Sequence, residues 1–222
     1  PSADGPTIQK AALRGLKGGS NMKRVLEMVR TFREGDDETP IILMGYTNPI
    51  EAYGPERFCV DAHKAGVDGL IVVDLPPEEA DLLAGPAAAV GLDIIRLVAP
   101  TTPDARLPVV FDGASGFVYY VSITGVTGTR TASTDELAQA LPRLRKATDL
   151  PIAIGFGIRT PELAANAVRV ADAAVVASAL LNTLEGTLNA DGKATATTVP
   201  AVLDQLRGLA DAVHAVSKTG SK

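Results

Sequence analysis

Four short segments of the sequence contain residue types that bind anions or move protons. They are residues 3–9, 116–129, 154–160 and 175–180. The first contains Asp4, whose carboxylate could serve as an acid, a base or an electrostatic partner. The second leads from Tyr119 into a loop rich in glycine and hydroxyl residues. The last two contain Gly157 and Ser178 at turns from strand to helix, where backbone N–H groups favour an anion.

Each of these segments also has a simpler interpretation. Asp-Gly-Pro is a common turn composition, so Asp4 by itself is weak evidence of catalysis. The loop after Tyr119 is longer than most strand-to-helix connections, which favours a functional role over a plain linker. The glycine pair around Phe156 is equally compatible with tight packing. If the strands before Gly157 and Ser178 are neighbours, however, the two turns form one phosphate cup.

Short apolar runs alternate with amphipathic ones along the whole chain. Six runs are predicted to be parallel strands buried on both faces, at residues 41–46, 69–74, 93–98, 116–122, 151–155 and 173–177. Their starts lie about 25–35 residues apart, the spacing of repeated strand–helix units. The periodicity fits an open doubly wound sheet or a (β/α)8 barrel without its first two units. Residues 186–198 are predicted to be a loop and residues 199–217 a C-terminal helix.

The composition narrows the function further. The net charge is −5 and no Lys/Arg cluster occurs, which argues against nucleic acid as a partner. No apolar run is long enough to span a membrane, and no signal peptide is evident, so we expect a cytoplasmic protein. With a single cysteine, Cys59, and two histidines, a zinc site is not expected, and nothing in the sequence signals a metal site made of carboxylates alone.

Taken together, the four segments resemble the alpha subunit of tryptophan synthase. The resemblance runs from Pro1 to about Leu184 and includes residues 40–50 and 66–79 between the four segments. It implies an α/β TIM barrel that lacks its first two β/α units and retains six parallel strands. Residues 1–222 would form this single partial domain.

The resemblance implies a lyase that cleaves indole-3-glycerol phosphate to indole and glyceraldehyde 3-phosphate. This retro-aldol reaction uses general acid–base chemistry and no cofactor. Pyridoxal phosphate (PLP) would belong only to the beta-subunit partner. The family's acid–base Glu ends the second strand, and no residue of this sequence is assigned to it. We therefore expect the 222-residue polypeptide itself to be inactive.

Individual site residues follow from the same resemblance. Asp4 matches the family's second acid, which binds the indole N–H. The residues that match the substrate pocket are Tyr119, Thr127 and Phe156, and those that match the phosphate cup are Gly128, Gly157, Ala177 and Ser178. The family usually has Gly where this chain has Ala177, so we expect weakened phosphate binding.

The resemblance also implies an alpha2beta2 complex with a beta subunit. Asn48 and Pro76 match the partner-facing loops, although ordinary turn residues would look the same. Two other functions remain open at this point. One is an isomerase or epimerase of sugar phosphates on a similar barrel, and the other is a non-catalytic partner of the beta subunit. The run around Asp4 favours the lyase.

Overall fold

A computed structural model describes residues 4–122, 134–155 and 157–216. These residues form two compact units. The first unit comprises Ala12–Val98 and Thr102–Val118, and the second comprises Asp4–Ala11, Ala99–Thr101 and the described residues from Tyr119 onward.

Helices make up most of the described residues. Their bounds are α1 Pro6–Lys17, α2 Met22–Arg33, α3 Thr47–Tyr53, α4 Pro55–Ala65, α5 Asp81–Val90, α6 Leu107–Phe111, α7 Thr134–Arg145, α8 Pro161–Val168, α9 Ser178–Gly186 and α10 Thr198–His214. Two 3-10 turns cover Pro77–Glu79 and Asp104–Arg106. No helix within the described ranges has the length and apolar character needed to cross a bilayer.

The strands alternate with these helices, as the sequence predicts. They are β1 Ile42–Gly45, β2 Gly69–Val72, β3 Asp93–Ile94, β4 Arg96–Val98, β5 Val118–Val121, β6 Ile152–Gly155 and β7 Ala173–Val175. In the first unit β2 pairs in parallel with both β1 and β3. In the second unit the order is β5, β6, β7, and β6 and β7 are parallel. An α/β architecture with parallel strands fits the predicted TIM-barrel class.

The predicted count of six strands needs one correction. The segment 93–98 forms two strands, because the pairing of β3 with β2 ends at Ile94. Ile95 lies between β3 and β4, and its N–H still donates to the Leu70 carbonyl at 2.9 Å. Seven strands therefore occur within the described residues.

Local signals explain several element boundaries. Helix α4 begins at Pro55 and ends before Gly66, whose φ of 97° is left-handed and favours glycine. The side chain of Asn21 caps α2 by accepting a hydrogen bond from the Arg24 N–H. The Thr160 side chain caps α8 in the same way.

Each unit buries its own apolar residues. In the first, α2 and α4 cover the sheet, with Leu26, Phe58 and Leu70 at most 1% exposed. In the second, α7 and α8 contribute Leu144 and Ala164, which are equally buried. The strands are thereby held rigidly enough for the turns at their ends to be set in place.

Candidate functional site

Asp4 lies at the entrance to helix α1 and is half-buried. The Gln9 side-chain amide donates to the Asp4 backbone carbonyl at 2.8 Å. The Gln9 backbone N–H donates to the Gly5 carbonyl at 3.0 Å. Gln9 therefore holds the backbone at Asp4 and Gly5 in place through two hydrogen bonds. Helix α1 is also tied to α9, because Lys10 forms an ion pair with Glu185 at 3.1 Å.

Tyr119 belongs to the middle of β5 and is only 6% exposed. Burial raises the pKa of its hydroxyl to about 12, so the group stays neutral in any ordinary buffer. A Cβ placed on Gly155 would overlap the Tyr119 hydroxyl and ring. Gly155 is therefore the residue that makes room for Tyr119 beside β6.

The C-terminal ends of β6 and β7 lie side by side. Gly155 and Val175, the last residues of the two strands, are register partners. At the other end of the pair, the Asp172 carboxylate accepts hydrogen bonds from the Ile152 N–H at 2.8 Å and from Arg145 at 3.0 Å. The two turns that follow the strands consequently leave the sheet at the same level.

Gly157 forms the turn after β6. Its φ of 80° lies in the left-handed region, where a side chain would be strained. The chain then reaches the Thr160 cap of α8 within three residues. The positive φ therefore favours glycine at position 157 independently of any role in phosphate binding.

Ala177 and Ser178 form the turn after β7, where α9 begins at Ser178. Ala177 has a φ of −126° and a ψ of −66°, so this turn does not use the positive φ that would favour glycine. Ala177 is exposed and Ser178 is half-buried. The first turn of α9 has no acidic residue. Its N–H groups and the positive end of the helix dipole can therefore receive an anion without repulsion from within that turn.

One supporting residue stands out only in the structure. Ser122, which follows β5, is 8% exposed, and its hydroxyl donates to the Gly155 carbonyl at 2.8 Å. The Ser122 N–H donates to the same oxygen at 3.1 Å. These bonds link the ends of β5 and β6. A hydroxyl residue at the end of an apolar strand was the available signal, but the sequence does not reveal its partner.

Three other residues assigned to the site by resemblance, Thr127, Gly128 and Phe156, lie outside the described residues. The two residues expected to face the partner, Asn48 and Pro76, belong to the first unit and are both exposed. Asn48 is the second residue of α3. Thr47, the residue before it, donates from its backbone N–H and its hydroxyl to the Asp74 carboxylate at 2.7 and 2.9 Å. The loops after β1 and β2 are thereby joined.

Metal ligands do not converge in the part of the chain that the structure covers. No group of three or more His, Cys, Asp or Glu side chains there could hold a metal ion. The buried thiol of Cys59 lies in the first unit, and burial raises its pKa to about 11. We therefore assign Cys59 to the core of the first unit.

Comparison with known proteins gives a consistent result. The profile of the family described as "Tryptophan synthase alpha chain" matches residues 1–213. The chain is 76% identical to the tryptophan synthase alpha chain of Gluconacetobacter diazotrophicus over 96% of its own length and 78% of that protein. It is 68% identical to the alpha chain of Granulibacter bethesdensis, again over 96% of its own length and 77% of that protein.

Solved structures agree with these sequence matches. The alpha subunit from Legionella pneumophila superposes with a TM-score of 0.86 at 39% identity, over 97% of this chain and 78% of that one. A chain of the tryptophan synthase a2b2 complex from Pyrococcus furiosus gives 0.81 at 33% identity, over 97% of this chain and 83% of that one.

Proposed function

The chain belongs to the tryptophan synthase alpha chain family, and from that premise we propose that it cleaves indole-3-glycerol phosphate to indole and glyceraldehyde 3-phosphate. The observation that carries the proposal is the register of Gly155 with Val175, which brings two candidate anion-binding turns to one edge of the sheet. Asp4 and Tyr119 belong to the same compact unit as those turns.

The phosphate of the substrate would bind at this edge. Gly157 allows the chain to turn sharply after β6, and Ser178 opens α9 with free N–H groups and the positive end of its dipole. Gly128 and Ala177 complete the proposed cup. Binding energy from the phosphate, which does not react, holds the rest of the substrate in position for bond cleavage.

The indole end of the substrate would meet Asp4. Protonation at indole C3 makes the carbon–carbon bond breakable and leaves positive charge on the ring system. A fixed carboxylate that accepts a hydrogen bond from the indole N–H stabilises that charge as it develops. The buried, neutral Tyr119 would line the pocket, together with Thr127 and Phe156. No cofactor is needed for this chemistry.

The proton donor and acceptor in the family is a Glu that has no counterpart assigned among residues 1–222. We therefore propose that the 222-residue polypeptide, assayed by itself, binds substrate but releases indole very slowly. Binding and turnover can be measured separately, so that the two parts of the proposal do not depend on one assay.

A pair of ligands tests the binding roles. Glycerol 3-phosphate contains the phosphate end only, and an indole alkyl phosphate contains both ends. We expect Asp4→Asn to lower the affinity for the indole alkyl phosphate about tenfold, because a hydrogen bond to a charged group is lost. The affinity for glycerol 3-phosphate should not change. Calorimetric titration of both ligands measures this split.

Asp211→Asn is the matched control, because Asp211 is an exposed aspartate on α10. It should leave both affinities unchanged. If Asp4→Asn lowered the affinity for both ligands equally, Asp4 would support the fold and would not contact indole. Indole release by the unmodified polypeptide at a rate typical of enzymes, about 1 per second or faster, would refute the proposal of slow turnover.

We further propose that the chain assembles with a tryptophan synthase beta subunit, which carries PLP. Support comes from the exposed positions of Asn48 and Pro76 and from the membership of similar chains in an a2b2 complex. The isomerase alternative loses its support, because the family match covers residues 1–213.

A further inference from the structure

A cleft of about 400 Å³ lies in the first unit, near the C-terminal end of β2. Its wall includes Leu83, Ile94 and Val110 and is mainly apolar, and its charged members are Arg96 and Asp74. This volume suits a small organic molecule. The residues proposed for substrate binding are not part of the wall.

Arg96 is an unusual residue for a buried strand. It is only 6% exposed, and its Nε is buried without a hydrogen-bond partner. Its Nη1 donates to the Leu75 carbonyl at 3.5 Å, at the outer limit of a hydrogen bond. Within the described ranges the guanidinium makes no ion pair, although such a group normally has several donors satisfied when buried.

The charges near Arg96 leave it uncompensated. Burial lowers the pKa of its guanidinium, and the charge of Asp112 opposes that effect without forming an ion pair. Asp74 is exposed, and one of its carboxylate oxygens accepts two hydrogen bonds from Thr47. An exposed carboxylate is largely screened by solvent, whereas a buried guanidinium is not. An anion that entered the cleft would therefore be drawn to Arg96.

We propose that this cleft binds a small organic carboxylate with a short apolar body, held by the guanidinium of Arg96. The planar fork of Arg matches a carboxylate, and the apolar wall accommodates the hydrocarbon part. Inorganic phosphate fits less well, because it would have to lose more of its bound water on entering a cleft with an apolar wall.

The test follows the Nε–H signal of Arg96 by NMR in the 222-residue chain labelled with ¹⁵N-arginine. The signal is assigned from its loss in Arg96→Lys. Titration with 3-methylbutanoate should shift it along a saturable curve. The neutral amide of the same shape should bind at least about tenfold more weakly, because the charge-assisted bonds are gone. Arg96→Met should abolish carboxylate binding, measured by calorimetry.

Three outcomes would overturn the proposal. In the first, 3-methylbutanoate fails to shift the Arg96 signal or shifts it linearly without saturation. In the second, the amide binds as well as the carboxylate, which would mean that the cleft selects only for shape. In the third, inorganic phosphate saturates the Arg96 signal at lower concentration than the carboxylate. The titrations of the unsubstituted chain decide the matter even if Arg96→Met does not fold.

Discussion

The Tyr119 side chain lies directly against the α-carbon of Gly155, with the tyrosine on β5 and the glycine on β6. A Cβ built on Gly155 would sit 2.6 Å from the Tyr119 Cε1 and still closer to the hydroxyl. The Gly155 carbonyl accepts both hydrogen bonds from Ser122. The glycine therefore serves the packing of β5 against β6 and not a positive φ.

Gly155→Ala should destabilise the protein by about 1–3 kcal/mol, the usual cost of overpacking a core. Tyr119 must move or the strands must separate, and neither adjustment is free in a packed interior. Urea unfolding measures the loss. Gly208→Ala in α10 is the control, because among the described residues a Cβ there meets only Pro161, at 4.0 Å. This substitution should stabilise the protein by about 0.5–1 kcal/mol.

A double substitution tests whether the loss of stability in Gly155→Ala comes from the clash with Tyr119. In a Tyr119→Ala background the ring is gone, so the further cost of Gly155→Ala should fall below about 0.5 kcal/mol. An unchanged cost in that background would mean that Tyr119 is not the obstacle.

Local patterns in the sequence were sufficient for some of these features. Thr160 followed by Pro161 predicts the start of α8, because capping depends on residues a few positions apart. The reason for Gly155 could not be predicted in this way, because Tyr119 is 36 residues away in the chain and meets it only when the strands align. Arg96 is similar, because nothing in an Ile-Ile-Arg-Leu-Val run indicates that the arginine is buried with its Nε unpaired.

Stability at high pH should depend on Tyr119. The folded-state pKa of about 12 lies above the ordinary value of 10.0, so the folded chain retains a proton that the unfolded chain loses. The contribution of Tyr119 is therefore complete below pH 10 and disappears as the pH rises through about 12. Between pH 10 and 12 the free energy of unfolding of the unsubstituted chain should therefore fall by about 2 kcal/mol more than that of Tyr119→Phe.

Urea unfolding at several pH values measures this difference. Between pH 7 and 9 the stability gap between Tyr119→Phe and the unsubstituted chain should stay constant, which serves as the internal control. Tyr120 is also buried and remains in both proteins. A gap that is equally constant from pH 10 to 12 would show that the Tyr119 hydroxyl ionises as readily in the folded state as in the unfolded one.

Ala177→Gly should strengthen the binding of glycerol 3-phosphate about threefold, since the methyl group crowds the proposed phosphate cup. The gain would not come from a left-handed backbone, because the φ of Ala177 is −126°. Ala173→Gly is the matched control, as Ala173 is also exposed and lies at the N-terminal end of β7. Calorimetry that gives the same affinity for Ala177→Gly and the unsubstituted chain would remove crowding as an explanation.

Asn48→Ala should weaken binding to a tryptophan synthase beta subunit by about three- to tenfold, because the proposed interface loses one exposed polar contact. Thr47→Val should weaken binding to a similar extent by an indirect route. It removes the hydroxyl that bonds to Asp74 and so loosens the connection between the loops after β1 and β2. Surface plasmon resonance with immobilised beta subunit measures both. Glycerol 3-phosphate affinity should stay unchanged in each variant.

Glu27→Ala on α2 supplies the control for these two variants, because Glu27 is exposed and far in sequence from both loops. Its affinity for the beta subunit should match that of the unsubstituted chain. If Asn48→Ala also matches it while Thr47→Val is weakened, the loop geometry matters and the Asn48 side chain does not. If neither variant differs from Glu27→Ala, the partner binds another surface, and the assignment of Asn48 and Pro76 to the interface is wrong.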